Sequence, residues 1–251
     1  MVTNVKLDFY RFEFKYILSK SIRDEIEREL GYFMDIDPYV SENMEAKYKV
    51  RSLYYDDPSF TAYYEKTDGI RTRSKFRVRT YTTDFSEQCS TFLEIKGRHN
   101  NLVFKHRVPL DKGLQGQFNM DEALDCGNIL SRLSGTDSLV KDRFEYDSIR
   151  RRLQPIMLID YERRPMISKY DSEFRLTFDD SLMGTATQCL YPSNRVVGKK
   201  ILPQYTILEI KFRHSLPKWF HRIIQSYNLT RVSVSKVCSG IEVCELTKVY
   251  D

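Results

Sequence analysis

The tetrapeptide Leu-Glu-Ile-Lys occurs twice, at Leu93 to Lys96 and at Leu208 to Lys211. Side chains of an extended strand alternate between its faces, so each copy sets Glu and Lys on one face and Leu and Ile on the other. Arg11-Phe-Glu13-Phe-Lys15, Lys75-Phe-Arg77-Val-Arg79, Lys105-His-Arg107 and Glu173-Phe-Arg175 repeat the device. Faces this rich in Lys and Arg suit phosphate, because guanidinium forks and ammonium point charges match phosphate oxygens. Glu13, Glu94, Glu173 and Glu209 share those faces, and most are expected to pair with their cationic neighbours. One or two could hold a divalent cation, since Mg2+ and Mn2+ bind through one or two carboxylates together with phosphate oxygens. Spacing does not say which.

These residues need strands to carry them. Alternation predicts a long strand over residues 5–18, with Arg11, Glu13 and Lys15 on one face and Phe12, Phe14 and Tyr16 on the other. Ser21 with Asp24 resembles a capping box and opens a helix to about residue 33, whose Ile22, Ile26 and Leu30 form a stripe. Strands are predicted at 48–55, 72–82, 90–97 and 102–110, with a turn at Asp56-Asp57-Pro58-Ser59 and a short helical piece at 60–66. Helical spacing covers 121–133 and 138–153, on either side of Gly135. Strands resume at 156–163, 173–179, briefly near 195–200, and at 205–212. Pro217 opens a helix over 218–227, and 231–237 reads as a last strand. No linker or shift of composition interrupts the chain, which is expected to be one domain over residues 1–251.

Periodicity alone does not separate inside from outside. A sandwich with its polar faces in water gives the same alternation. Two observations favour a charged interior. Lys75, Arg77 and Arg79, like Lys105 and Arg107, set like charges side by side, which is unfavourable without an anion. Four amphipathic helices are also available to cover the apolar faces from outside. A cationic interior is costly unless it is wet or filled by a polyanion, and a barrel of about eight strands is wide enough for one small ligand.

Composition sets bounds. The chain has 251 residues, 41% hydrophobic and 13% aromatic, enough for a substantial core and against disorder. A net charge of +5 makes no polycation, and the aromatic residues alternate to the face opposite the cations, so nucleic acid is not implied. No apolar run reaches the ~18 residues of a membrane span, and the first residues lack a signal peptide's apolar stretch, so a cytoplasmic protein is expected. Five cysteines without a Cys-x-x-Cys pair and four scattered histidines give no support to a disulfide framework or a zinc site.

The ordered set Arg11-Phe-Glu-Phe-Lys15-Tyr, Leu53-Tyr-Tyr-Asp-Asp57, Tyr64-Glu-Lys66-Thr-Asp-Gly69, Lys75-Phe-Arg77-Val-Arg79-Thr-Tyr81, Leu93-Glu94-Ile-Lys96-Gly and Ile207-Leu-Glu209-Ile-Lys211 resembles the VTC domain. That domain is the polyphosphate polymerase module of the triphosphate tunnel metalloenzyme, or CYTH-like, superfamily. The likeness runs from about Lys6 to Gly240, and a stand-alone form without the SPX domain and membrane helices of the fungal enzymes is expected. It implies an α+β, mainly β chain: an eight-stranded antiparallel β-barrel tunnel with amphipathic helices packed on the outside. It further implies Mn2+ or Mg2+, and transfer of the terminal phosphoryl group of ATP onto polyphosphate. ATP and polyphosphate are the implied partners, nucleic acid is not, and a membrane-protein partner is left open.

Residue by residue, the resemblance makes Lys15, Arg77, Arg79 and Lys96 phosphate-binding residues of the tunnel wall. Tyr161 and Arg163 contact phosphates, Arg175 is the next strand's arginine, and Ser235 and Lys236 form a closing pair. Glu209 is the metal-binding glutamate, with Lys211 beside it. Glu94 is a second acidic candidate for the metal, or else a partner that orients Lys96 and nearby cations. Lys75 joins the substrate-binding set, while Lys66, Arg73, Lys105, Arg107 and Lys199 suit either tunnel mouths or a solvated surface. Three positions depart from the pattern: Arg11 stands for a first-strand Glu, Ser233 for a basic residue, and Tyr63 for another tunnel arginine. The first argues against a simple triphosphatase. An inorganic or nucleoside triphosphatase, with water as acceptor, and a non-catalytic polyphosphate-binding subunit are the alternatives.

Overall fold

The computed structural model describes residues 12–40, 46–84, 90–100, 102–110, 118–133, 135–136, 138–193 and 195–247. Arg11, Cys89 and the first part of the predicted opening strand lie outside them. In chain order the elements are β1 (Phe12–Ser19), α1 (Lys20–Leu30), β2 (Met34–Ile36), β3 (Tyr48–Asp56), α2 (Thr61–Thr67), β4 (Thr72–Thr80), β5 (Phe92–His99) and β6 (Leu102–Pro109). They continue with α3 (Cys126–Arg132), α4 (Leu139–Arg151), β7 (Gln154–Ser168), β8 (Arg175–Thr185), β9 (Lys199–Lys200), β10 (Tyr205–Phe212), α5 (Lys218–Ser226) and α6 (Lys236–Val243).

Eight strands form one antiparallel path in the order β1-β10-β8-β7-β3-β4-β5-β6, with β2 added to β7 and β9 to β8. The expected barrel is therefore an open sheet. β1 and β6 lie next to one another, but no ladder joins them among the described residues. The residues predicted to form a last strand at 231–237 do not complete it. Residues 231–235 run beside β1, where the Val232 N–H donates to the Lys15 carbonyl at 2.8 Å. Then α6 begins, because Val237, Cys238 and Ile241 recur at helical spacing and are buried.

The apolar faces make the core that alternation requires. Leu53, Phe76, Val78, Leu93 and Ile95 pack under α3 and α4, against Ile129 and Phe144. Leu18, Phe178, Leu208 and Ile210 pack under α1 and α5, against Ile26, Leu30, Phe220 and Ile223. Full burial of each such side chain contributes roughly 1.5–3 kcal/mol, and this holds the strands' other face toward the lumen. The helices do not all lie outside, however. α6 lies on the concave face, where Val237, Cys238 and Ile241 meet Met157, Ile159 and Ile207. Gly240 makes this approach feasible, since a Cβ there would come within 2.7 Å of the Ile159 side chain.

Smaller corrections concern ends. Ser19, not Ser21, caps α1, its hydroxyl accepting from the Ile22 N–H at 3.4 Å. Asp125 caps α3 through the Asn128 N–H, so that helix starts later than residue 121. Glu173 sits exposed in the turn before β8, tied through its N–H to Asp171, and is not a wall residue. Among the described residues no helix is long and apolar enough to cross a membrane.

Candidate active site in the concave face

Strand pairing fixes the charge pattern of the concave face. Glu13 stands opposite Lys211 and Lys15 opposite Glu209, so β1 and β10 alternate in sign across the ladder. On the facing strands the register aligns Lys75, Lys96 and Lys105 in one row over β4, β5 and β6. The next row holds Tyr54, Arg77, Glu94 and Arg107. Three neighbouring lysines are mutually repulsive unless an anion lies over them.

A cavity of about 420 Å³ opens on this face. Thirteen Lys and Arg residues line it against two carboxylates, Glu13 and Glu209. Its wall has contributions from all four phosphate-binding candidates, Lys15, Arg77, Arg79 and Lys96, and from Tyr161, Arg163, Lys211, Ser235 and Lys236. Lys66, Arg73, Lys75 and Lys105 also reach it. Such a concave face, predominantly positive and backed by an apolar core, focuses positive potential.

Beside these cations, on the same face but covered from the cavity, two fully buried carboxylates act as clamps. Glu94 ion-pairs with Arg77 at 2.6 Å, with Arg79 at 3.8 Å and with Lys105. Its expectation as a metal ligand does not fit this placement: it is shielded from the cavity and committed to three cations. Asp179 accepts both arms of Arg163 at 2.6 and 2.7 Å, and Lys236 reaches it at 2.6 Å from the start of α6. Asp179 escaped the sequence reading because its partners are residues 163 and 236, and only its place in alternation with Thr177 and Arg175 marks its face. Tyr54 was missed as well. Its hydroxyl accepts from Arg77 at 2.9 Å, while Tyr161 receives Arg79 at 3.2 Å and lies under Arg163 and Lys236. Aromatic residues thus share the cations' face here, contrary to the simple alternation.

Titration follows from these contacts. Burial pushes the Glu13 carboxyl up, but Lys96 at 2.7 Å, helped by Lys211 and Lys15, brings it down to about 2. Asp179 likewise falls to about 2, burial being outweighed by Arg163 and Lys236. Glu209 is held well below the usual carboxylate range, burial again being overcome by Lys211 at 2.8 Å, Lys96 and Lys15. Burial lowers Lys105 to about 7, with Glu94 opposing and Arg79 and Arg77 assisting. It lowers Lys15 to about 8 against the pull of Glu209. Tyr54 comes down to about 8, since Arg77 and Arg79 outweigh its burial.

Among the described residues, no three His, Cys, Asp or Glu side chains converge on one point. Glu209 and Glu13 nonetheless stand on adjacent strands and face the same cavity, which suits a divalent ion bound by two carboxylates together with phosphate oxygens.

Besides Glu94, three candidates are not brought to the cavity. Arg175 is exposed at the start of β8, its Nε donating to the Ser172 carbonyl at 3.3 Å. The turn ahead of β8 draws it away from the wall. Arg107 folds over the Phe92 ring at 4.6 Å, and Lys199 binds the Val243 carbonyl and Glu245 on the surface. Tyr63 does not replace a lumen arginine either; it is buried in α2 with its hydroxyl on Glu242 at 3.4 Å. Ser233 lines the cavity.

The VTC domain family profile matches residues 10–245. No relative is detected among curated proteins. Solved structures that resemble this one include a candidate adenylate cyclase from Bacillus halodurans, with a TM-score of 0.51 and 13% identity over 91% of this chain and 95% of that one. They also include the PH1819 protein from Pyrococcus horikoshii, with a TM-score of 0.44 and 12% identity over 88% and 92%. At 13% identity the first likeness shows the fold alone.

Proposed function

Because the chain belongs to the VTC domain family, we propose that its concave face transfers the terminal phosphoryl group of ATP onto a polyphosphate chain. The observation that carries this reading is the imbalance of the cavity wall, thirteen cations to two carboxylates, which a chain of phosphates would neutralise. Phosphoryl transfer asks for positioning and charge neutralisation more than for covalent help. Arg77, Arg79 and Arg163 have their orientation set by the buried Glu94 and Asp179, so they serve as fixed hydrogen-bond donors to phosphate oxygens. Lys15, Lys96 and Lys211 add point charges, Lys75 and Lys105 extend the row, and Tyr161 and Ser235 offer hydroxyls. Glu209 and Glu13 would hold Mn2+ or Mg2+, which when bound neutralises charge on the phosphate oxygens.

In the reaction a terminal oxygen of the polyphosphate attacks the γ-phosphorus. The bond from that phosphorus to the β,γ-bridging oxygen breaks, ADP leaves, and the polymer grows by one unit. No side-chain nucleophile is needed. The test incubates the purified protein with ATP and Mn2+ and follows ADP, free phosphate and polymer together. Polymer matched to ADP is the expected result. Free phosphate from ATP or tripolyphosphate without polymer would make water the acceptor and the protein a triphosphatase. Tight, metal-independent polyphosphate binding without turnover would make it a binding subunit.

A further inference from the structure

Beyond the cation rows, the concave face ends in a continuous run of aromatic rings. Tyr39 meets Tyr48 edge-on with centroids 5.7 Å apart, Tyr48 meets Tyr81 at 5.8 Å, and Tyr81 meets Phe92 at 6.4 Å. Arg107 closes the run with its guanidinium 4.6 Å above Phe92. The strand register ties this belt to two arginines of the cavity wall. Tyr48 is the cross-strand partner of Arg163, and Phe92 is the partner of Arg79. The Tyr48 hydroxyl senses both arginines: burial raises it to about 12, and Arg163 and Arg79 pull the other way. None of these rings is fully buried, and Tyr39 is 72% exposed at the outer end. Tyr48 and Tyr81 rest on the core on one side, so the run is anchored within the fold and opens to solvent at Tyr39.

We infer that this belt is a stacking platform for the base of a nucleoside triphosphate whose phosphates lie on Arg79 and Arg163. The chemistry favours that occupant: it must offer a flat π-face joined to a polyanion, because the rings and these arginines adjoin. Stacking on aromatic faces tolerates any base, so purines should exceed pyrimidines only by the area of their rings. The inference rests on the polymerase reading and adds to it the residues that would hold the base of its nucleotide donor.

Titration calorimetry of the whole protein with a non-hydrolysable ATP analogue and with inorganic tripolyphosphate tests it without turnover. The wild type should bind the nucleotide more tightly than tripolyphosphate. Tyr39→Ala, at an exposed position where folding is safe, should weaken nucleotide binding about fivefold or more, the lower end of what one stacking face provides. Tripolyphosphate binding should be unchanged, and Tyr39→Trp should restore the nucleotide. Equal binding of the two ligands by the wild type, or equal effects of Tyr39→Ala on both, overturns the platform. Polymer made by a protein that binds base-free triphosphate equally well removes the platform and leaves the polymerase. Selective nucleotide binding with no polymer removes the polymerase and leaves the platform.

Discussion

Replacing Glu94 by glutamine removes the carboxylate shared by Arg77, Arg79 and Lys105, at a side chain with 0% exposure. The amide keeps the shape, so the effect is electrostatic and packing survives. Uncompensating a buried ion pair costs about 3–5 kcal/mol. The Lys105 side chain is 24% exposed to the cavity, and water entering there screens part of the repulsion. The lower end, about 3 kcal/mol, is therefore expected. For a chain of this size each kcal/mol moves the melting temperature by about 2–4 °C, so the variant should melt roughly 6–12 °C lower. The freed cations then need an anion, and saturating tripolyphosphate should stabilise the variant more than the wild type. Glu209→Gln should behave differently, because Glu209 faces the cavity: the Mn2+ concentration for half-maximal activity rises about tenfold or more. Differential scanning fluorimetry and metal titrations of both variants measure this. The reasoning fails if Glu94→Gln melts within a degree or two of wild type, or if the metal requirement moves with Glu94 and not with Glu209.

Three further outcomes are expected. Lys105 near 7 and Lys15 near 8 are partly uncharged at pH 8, and a bound polyanion raises both, so polyphosphate binding at pH 8 should take up roughly one proton. Calorimetry in buffers of different ionisation enthalpy measures that uptake, and none would sink the assignment of these lysines to the phosphate site. Both lysines titrate lower in the folded chain than unfolded, so the unfolded chain binds more protons between about pH 7 and 10; ligand-free stability attributable to them should rise with pH over that window. Asp179→Asn should lower kcat/KM by tenfold or more and destabilise by about 3 kcal/mol, since Arg163 and Lys236 lose their shared partner. That contribution is present above the usual Asp range and is lost as pH falls toward about 2, so wild type and variant should converge in acid. Arg175→Ala should change KM for polyphosphate by less than about twofold, the range of an exposed, weakly engaged charge; a large loss would return it to the wall.

What was legible in the sequence was what alternation encodes. The doublets Glu94-Lys96 and Glu209-Lys211, and the run Lys75-Arg77-Arg79, have to share a face once the strand forms, whatever the rest of the chain does. The helices covering the opposite face follow from the same logic, because Leu18, Phe178 and Leu208 need cover. Alternation stops informing where the backbone leaves the strand. Arg175 keeps the parity of a wall residue, yet the turn at 171–174 lets its side chain bend back to Ser172. Residues 231–237 have strand-like composition, but Ile241 completes a helical stripe with Val237 and Cys238, and tertiary contact with Met157 and Ile159 decides for helix. Asp179 and Tyr54 were hidden for a different reason: their partners Arg163 and Arg77 stand on the neighbouring strands, and Lys236 lies in a helix far along the chain, so single-strand patterning has no access to these pairings.

The two buried carboxylates explain how so many cations coexist in one face. A fully cationic wall would repel itself apart in the absence of ligand, and a wall neutralised from within the cavity would leave no field for a phosphate chain. Placing Glu94 and Asp179 beside the guanidinium groups but out of the cavity lining answers both demands. Each carboxylate sits close enough to hold the folded state together and to fix the rotamers of Arg77 and Arg163. Neither carboxylate lines the cavity, whereas Arg77, Arg79 and Arg163 do, so donors remain for a ligand there. Lys75, Lys96 and Lys105 carry the remainder differently: Lys96 leans on Glu13, Lys75 points at the Cys238 thiol 2.9 Å away, and Lys105 gives up part of its proton. The wall is thus arranged to gain charge as a polyanion arrives, which makes binding tighter at lower pH and couples the first phosphates to those that follow.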